Sequence, residues 1–327
     1  MIIALAPQAA LSVGVLGALS LGLLRRPPAS ALRGIGIGSV VCAMLLALQA
    51  PIDGASASIL VTDAKSIGWQ YLIYLGALPL ALWLDGTDDV LMALFLGSLL
   101  GMSLLACAAN LPLLFIALEF MSLPAYLLVA RSRPGARGLE AAVKYFFAGG
   151  VAGALFMLGL ALYYADTRGL TYSAALSPLG QAGAALMAVS ALFKLGAFPL
   201  NWWLPDAYEA AAPEVAGFLS TAMKSAAVLF LMRLCAFAPE ARFAAYLPLI
   251  GAVTALTGAI MALRQQRLQR LFAYSSVSNA GLLILGVGAW AADGRSADGV
   301  TALLFFLGVY AFMSNGAFAF IKYSGLE

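Results

Sequence analysis

Four ionisable side chains lie inside runs of sequence otherwise fit for lipid: Glu119 in LPLLFIALEFMSLPAYLLVA, Lys144 in GLEAAVKYFFAGG, Lys194 in ALFKLGAFPLNWW and Lys224 in FLSTAMKSAAVLF. A charge at the centre of a bilayer helix costs roughly 2.5–3.5 kcal/mol on insertion scales, so each must face protein or water. Amines and carboxylates whose proton affinities respond to one another can hand a proton from site to site. The chemistry expected of this set is ion or proton passage.

Two of the four have a proline five residues further on. Proline lacks the N–H that would bond the carbonyl four residues back. Pro124 therefore frees the Phe120 carbonyl beside Glu119, and Pro199 frees the Leu195 carbonyl beside Lys194. Transporters use broken helices to admit water or ions to mid-membrane, so both prolines are expected to mark helix breaks. Lys224 lies about eleven residues into its span, too deep to snorkel, and Ser220, Thr221 and Ser225 are expected to hold water around it. Lys144 sits nearer a span end, where its stem can snorkel and Glu140 is an i,i+4 partner.

The elements that must carry these residues are membrane helices. Of 327 residues 63% are hydrophobic and 10% charged, with a mean hydropathy of +0.96, and apolar runs long enough to span a bilayer recur throughout. The runs are continuous, which excludes the alternation of a β-barrel. The fold class is an all-α polytopic membrane protein with about eleven spans, near 2–24, 34–50, 66–84, 88–108, 110–130, 139–164, 176–200, 213–237, 243–263, 268–291 and 298–322. The loop from Pro51 to Lys65 is expected to be partly folded. Small residues four apart, Gly34 and Gly38, Gly97 and Gly101, Gly149 and Gly153, suit close helix packing.

Arg25, Arg26 and Arg33, then Arg131, Arg133 and Arg137, then Arg264, Arg267 and Arg270 follow the first, fifth and ninth spans. The positive-inside rule puts these loops in the cytoplasm, with the N-terminus outside and the C-terminus cytoplasmic. The acidic loops with Asp85, Asp88 and Asp89, and with Asp206, Glu209 and Glu214, share that side and weigh little in the rule. The first apolar run precedes its positive charges, unlike a signal peptide.

Other chemistries are excluded or unsupported. There is no histidine, which removes zinc–histidine, haem–histidine and Ser-His-Asp sites. Cys42, Cys107 and Cys235 have no metal-ligand spacing and read as packing residues. The GIGIG at Gly34 follows no strand and fits no dinucleotide fingerprint, and a net charge of +3 gives no reason to expect nucleic acid.

Five stretches, LFIALEFMSLPAYLLVA, GLEAAVKYFFAGG, ALFKLGAFPLNWWLPDAYEAAAPEV, FLSTAMKSAAVLFLMRL and RLQRLFAYSSVSNAGLLILG, resemble the antiporter-like membrane subunits of respiratory complex I, and among them the subunit N family. LPDAY also occurs in related sodium/proton antiporter and hydrogenase subunits, whereas SLPAY and STAMK look more like subunit N. The resemblance implies an inverted-repeat antiporter-like fold with a broken seventh helix. Its parts would be N-terminal helices over 1–84, a first five-helix repeat over 85–237 and the start of an incomplete second repeat over 238–327, lacking the family's C-terminal helices. Glu119, Lys144, Lys194 and Lys224 match the family's proton-path residues, and Asn201 and Asn279 stand where it usually has histidine.

That resemblance also implies a bacterial inner membrane. The partners would be other membrane-arm subunits, a peripheral redox arm and lipid, and the work proton translocation driven by electron transfer from NADH to quinone. NAD, FMN, iron–sulfur clusters and quinone would belong to the partners, with no cofactor or metal in this chain. A scaffold subunit with an incomplete path, and a cation/proton antiporter subunit, are the alternatives.

Overall fold

Polar residues at the ends of apolar segments set where the helices begin. Asp63 and Ser66 cap each other's backbone, Asp88 accepts from the Leu91 N–H, Asn110 from Leu113 and Ser296 from Gly299. Each satisfies an N–H that the helix itself leaves open. The structure is a computed structural model describing residues 5–23, 28–50, 54–55, 60–84, 88–171, 176–238 and 242–325. The expected roles of Arg25, Arg26 and Asp85 lie outside the described residues.

The helices are α1 (Ala6–Gly22), α2 (Ala29–Leu48), α3 (Ala64–Trp83), α4 (Asp89–Ala106), α5 (Leu111–Ser132), α6 (Ala136–Thr167), α7 (Pro178–Leu195), α8 (Trp203–Ala210), α9 (Pro213–Ser220), α10 (Ala222–Phe237), α11 (Leu247–Ala262), α12 (Leu268–Ala292) and α13 (Ala297–Ser324). Nine helical segments among the described residues are long and apolar enough to cross a membrane, α9 and α10 counting together as one. Between α2 and α3, the two-residue strands β1 (Gly54–Ala55) and β2 (Val61–Thr62) pair antiparallel. The expected all-α polytopic architecture is the one the chain adopts.

Of the two prolines, Pro199 lies in a helix break as expected and Pro124 does not. α5 runs unbroken through Pro124. Next to it, α4 presses so closely that a Cβ on Gly101 would lie 2.3 Å from the Met121 nitrogen, and Ser98 donates to the Met121 carbonyl at 2.7 Å. One lost backbone bond does not part a helix braced in this way. α7 does stop, but at Gly196, whose left-handed backbone (φ +73°) closes the helix as glycine does without a Cβ penalty. Pro199 comes after that end, behind a cis peptide bond with Phe198.

A second interruption was not expected. Thr221, at φ −110° and ψ −76°, separates α9 from α10. This pair is the centre of the bundle, enclosed by α3, α4, α7, α12 and α13, and none of its residues from Pro213 to Phe237 is exposed.

Small residues behave unequally. Gly101 lets α4 and α5 touch as expected, whereas Gly34 and Gly38 have nothing within 4 Å of where a Cβ would lie. Gly149 and Gly153 make room for side chains instead of a helix backbone, with consequences for the site.

Candidate functional site

Lys194 is the penultimate residue of α7, two before the Gly196 turn, and is only 5% exposed. Its Nζ donates to the Tyr126 hydroxyl of α5 at 2.8 Å. It lies 4.8 Å from the Tyr126 ring centroid, 5.1 Å from that of Tyr145 and 5.4 Å from that of Phe193. A desolvated ammonium facing one aromatic ring gains about 2 kcal/mol, so this box replaces part of the lost hydration. Its far wall is Trp203 of α8, stacked on Tyr145 at 3.9 Å with 2° between planes. Trp203 also donates to the Phe193 carbonyl at 3.3 Å, tying α8 back to the end of α7.

Two glycines of α6 hold the α5 side chains in place. A Cβ on Gly149 would lie 1.9 Å from the Tyr126 hydroxyl oxygen, and one on Gly153 3.0 Å from Glu119 Oε1. Glu119 is half-buried in this slot, beside the outward face formed by Ile116, Phe120, Leu123 and Leu127. Its carboxylate acts on Lys194 electrostatically.

Lys224, 2% exposed, reaches across to α12, where its Nζ donates to the carbonyl and hydroxyl oxygens of Ser276. The Tyr310 ring of α13 lies 5.3 Å away, and the Tyr310 hydroxyl donates to Ser276 Oγ at 3.0 Å. The residues expected to surround this lysine serve the backbone instead. Ser220 and Thr221 donate to the Gly217 carbonyl and Ser225 to that of Thr221. Tyr145 spans the interval between the two lysines: its ring faces Lys194, and its hydroxyl donates to the sulfur of Met223, beside Lys224, at 3.2 Å.

Lys144 stands apart from this buried set. Its side chain is 40% exposed and pairs with Glu140 at 2.7 Å and Asp206 at 3.1 Å. Asp206 continues to Arg270 at 2.9 Å, Arg270 to Glu209 at 2.7 Å, and Glu209 also meets Arg267. Burial works against the Glu209 carboxylate, but the hydrogen bonds from Arg270 and Arg267 outweigh it and hold its carboxyl below the usual carboxylate range. Glu140, Lys144, Asp206, Glu209 and Arg267, with Arg133 and Arg137, rim an open cavity of about 620 Å³ at the arginine-rich end.

Asn201 lies buried in the turn after α7. Asn279 is bonded within its own helix, donating to the Ser275 carbonyl at 2.9 Å. Among the described residues no three His, Cys, Asp or Glu side chains gather as a metal group.

Tyr126, Tyr145, Trp203, Ser276 and Tyr310 were not expected from sequence. For Tyr126 a signal exists: it lies seven residues after Glu119, two helical turns along the same face.

Residues 108–325 match the family described as NADH:quinone oxidoreductase/Mrp antiporter, TM. NADH-quinone oxidoreductase subunit N 1 of Koribacter versatilis is 37% identical over 245 residues, covering 70% of this chain and 48% of that one. Subunit N of Salinispora arenicola is 39% identical over 243 residues, 68% of this chain and 46% of the other. The chain thus spans about half the length of the curated relatives it matches. Among solved structures, a chain of respiratory complex I from Thermus thermophilus superposes with a TM-score of 0.85 at 32% identity, over 97% of this chain and 70% of that one. A chain of the archaeal membrane-bound sulfane sulfur reductase shares the fold at a TM-score of 0.86 and 22% identity, over 99% and 71%.

Proposed function

The chain belongs to the NADH:quinone oxidoreductase/Mrp antiporter transmembrane family, and from that premise we propose that it is a proton-translocating membrane-arm subunit of a complex I type enzyme. The observation that carries this is the placing of two lysines, 5% and 2% exposed, beside helix interruptions and among hydroxyl and aromatic groups, not lipid. Buried ammonium groups are retained at such expense where a charge must move. Glu119 sets the field at Lys194, Tyr126 and Tyr145 hold the amine, and Ser276 and Tyr310 hold Lys224.

In this reading Lys144 and its acidic partners form the polar mouth at the arginine-rich end, which the positive-inside rule assigns to the cytoplasm of a bacterial inner membrane. The N-terminus is then outside and the C-terminus cytoplasmic. Residues 85–237 form one inverted-repeat unit, with 1–84 before it and 238–327 opening the next. NAD, FMN, iron–sulfur clusters and quinone belong to partner subunits, whose electron transfer drives the protons.

The test is the assembled complex in inverted membrane vesicles, with NADH oxidation and proton uptake followed separately. Lys194→Ala and Lys224→Ala are each expected to lower protons moved per NADH at least severalfold in complexes that assemble normally. Unchanged stoichiometry in both would overturn the proposal in favour of a scaffold. Proton exchange for a cation with no NADH oxidation would favour an antiporter.

A further inference from the structure

The seam between α9–α10 and α13 holds polar groups that the Lys194–Lys224 set does not use. At the arginine-rich end, Lys322 Nζ donates to Glu214 at 2.9 Å and to the Trp83 carbonyl at 2.5 Å. It thereby ties the last turn of α13 to the first turn of α9 and to the end of α3. Glu214 is 9% exposed, and separating a pair this sheltered leaves each charge uncompensated.

Deeper in the seam, Asn315 Nδ2 donates to the Gly76 carbonyl at 3.4 Å, which also accepts the Thr221 hydroxyl at 2.9 Å. Gly217 makes the room: a Cβ there would lie 3.2 Å from Asn315 Oδ1. Next, Tyr310 donates to Ser276 at 3.0 Å, with Ser314 and Ser220 close by, and Ser276 holds Lys224. Positions 214, 217, 220 and 221 on one side, and 322, 315, 314 and 310 on the other, follow the helical repeat across the packed pair α9 and α13; Lys224, past the Thr221 interruption, meets the same line at Ser276 and the Tyr310 ring. Phe318 interrupts this series. It is 2% exposed and its Cβ lies 3.4 Å from where a Cβ on Gly217 would stand, which puts an apolar step between the ion pair and Asn315.

Resting on the transport reading above, we propose that this seam is the route by which protons reach Lys224 from the arginine-rich end, with the Glu214–Lys322 pair as its gate. The pair clamps α13 against α9 and keeps Phe318 in the way. Parting the pair loosens the clamp and lets water past the ring, after which Asn315, Ser314, Ser220 and Tyr310 line the way to the amine.

The experiment uses the assembled complex in vesicles, with Cys42, Cys107 and Cys235 replaced by serine and Ser314→Cys introduced. A charged, water-soluble methanethiosulfonate reagent is the probe. With the pair intact, modification of the new thiol is expected to be slow. Adding Glu214→Gln or Phe318→Ala is expected to raise its rate at least tenfold with reagent at the arginine-rich end, and not with reagent at the opposite end. An unchanged rate in both variants, or equal entry from both ends, would overturn the route.

Labelling does not depend on pumping, so the two readings separate. If Lys224→Ala stops pumping and the thiol stays unmodified in both variants, the seam is wrong and the transport reading stands. If Lys194→Ala and Lys224→Ala both pump normally, the transport reading fails and takes the route with it, whatever the labelling.

Discussion

The Tyr126 hydroxyl occupies the space that a side chain at Gly149 would fill, 1.9 Å from the position of the missing Cβ. The absence of one methyl group on α6 thus allows α5 to present a hydrogen-bond acceptor to an amine on α7.

Gly149→Ala is therefore expected to push Tyr126 off Lys194. Overpacking of this kind costs about 1–3 kcal/mol, and the expected loss of protons moved per NADH matches that of Tyr126→Phe or exceeds it. Gly150→Ala is the control, since nothing lies within 4 Å of its Cβ position. Proton uptake in vesicles and native-gel assembly of the same preparations check both.

Ser276→Ala removes a hydroxyl shared by Lys224 and Tyr310 and leaves the backbone carbonyl to hold the amine. A hydrogen bond to a charged group is worth about 1.5–3 kcal/mol, so pumping should fall clearly but less than in Lys224→Ala. Asn279→Ala should leave it unchanged, because that amide is bonded within its own helix. The three variants compared in one pumping assay give the ranking.

Lys144 makes its ion pairs where solvent reaches them, and exposed pairs weaken in salt. Lys144→Gln should lower pumping less than Lys194→Ala does. Its difference from the parent should shrink at high ionic strength, while that of Lys194→Ala should not. Initial pumping rates at low and high salt decide this.

Glu209 gives a pH dependence of known sign. Its carboxyl is held below the usual range by Arg270 and Arg267 against the opposing effect of burial. The stability it contributes is therefore present above its unfolded value, about 4.3, and is lost as pH falls through the lower folded value. Glu209→Gln should lower thermal stability at neutral pH and flatten its decline in acid. Melting of the detergent-solubilised complex across the acid range is the measurement.

The sequence disclosed most about residues that contradict their surroundings. Lys194 and Lys224 stand out because an ammonium does not belong in an apolar run, and both are buried in protein. It disclosed less about their partners: Ser276 is 52 positions from Lys224, and a serine in a membrane helix resembles any other small residue. Tyr145 was hidden for the same reason, as one aromatic ring among many. Pro124 misled because sequence registers the lost backbone bond but not the α4 contact that braces the helix. The end of α7 was anticipated close to its true place, but Gly196 makes it, through a backbone conformation that side-chain chemistry does not announce.

The enclosure of the α9–α10 segment also bears on how the chain is made. Synthesis runs from the N-terminus, so residues 213–237 emerge before α12 and α13 exist. Lys224 then meets the insertion machinery without Ser276 or Tyr310 to receive it. A lone ammonium in that position resists transfer into lipid. The cost of placing this segment in lipid is therefore highest before its later neighbours are made, and α12 and α13 complete its enclosure last.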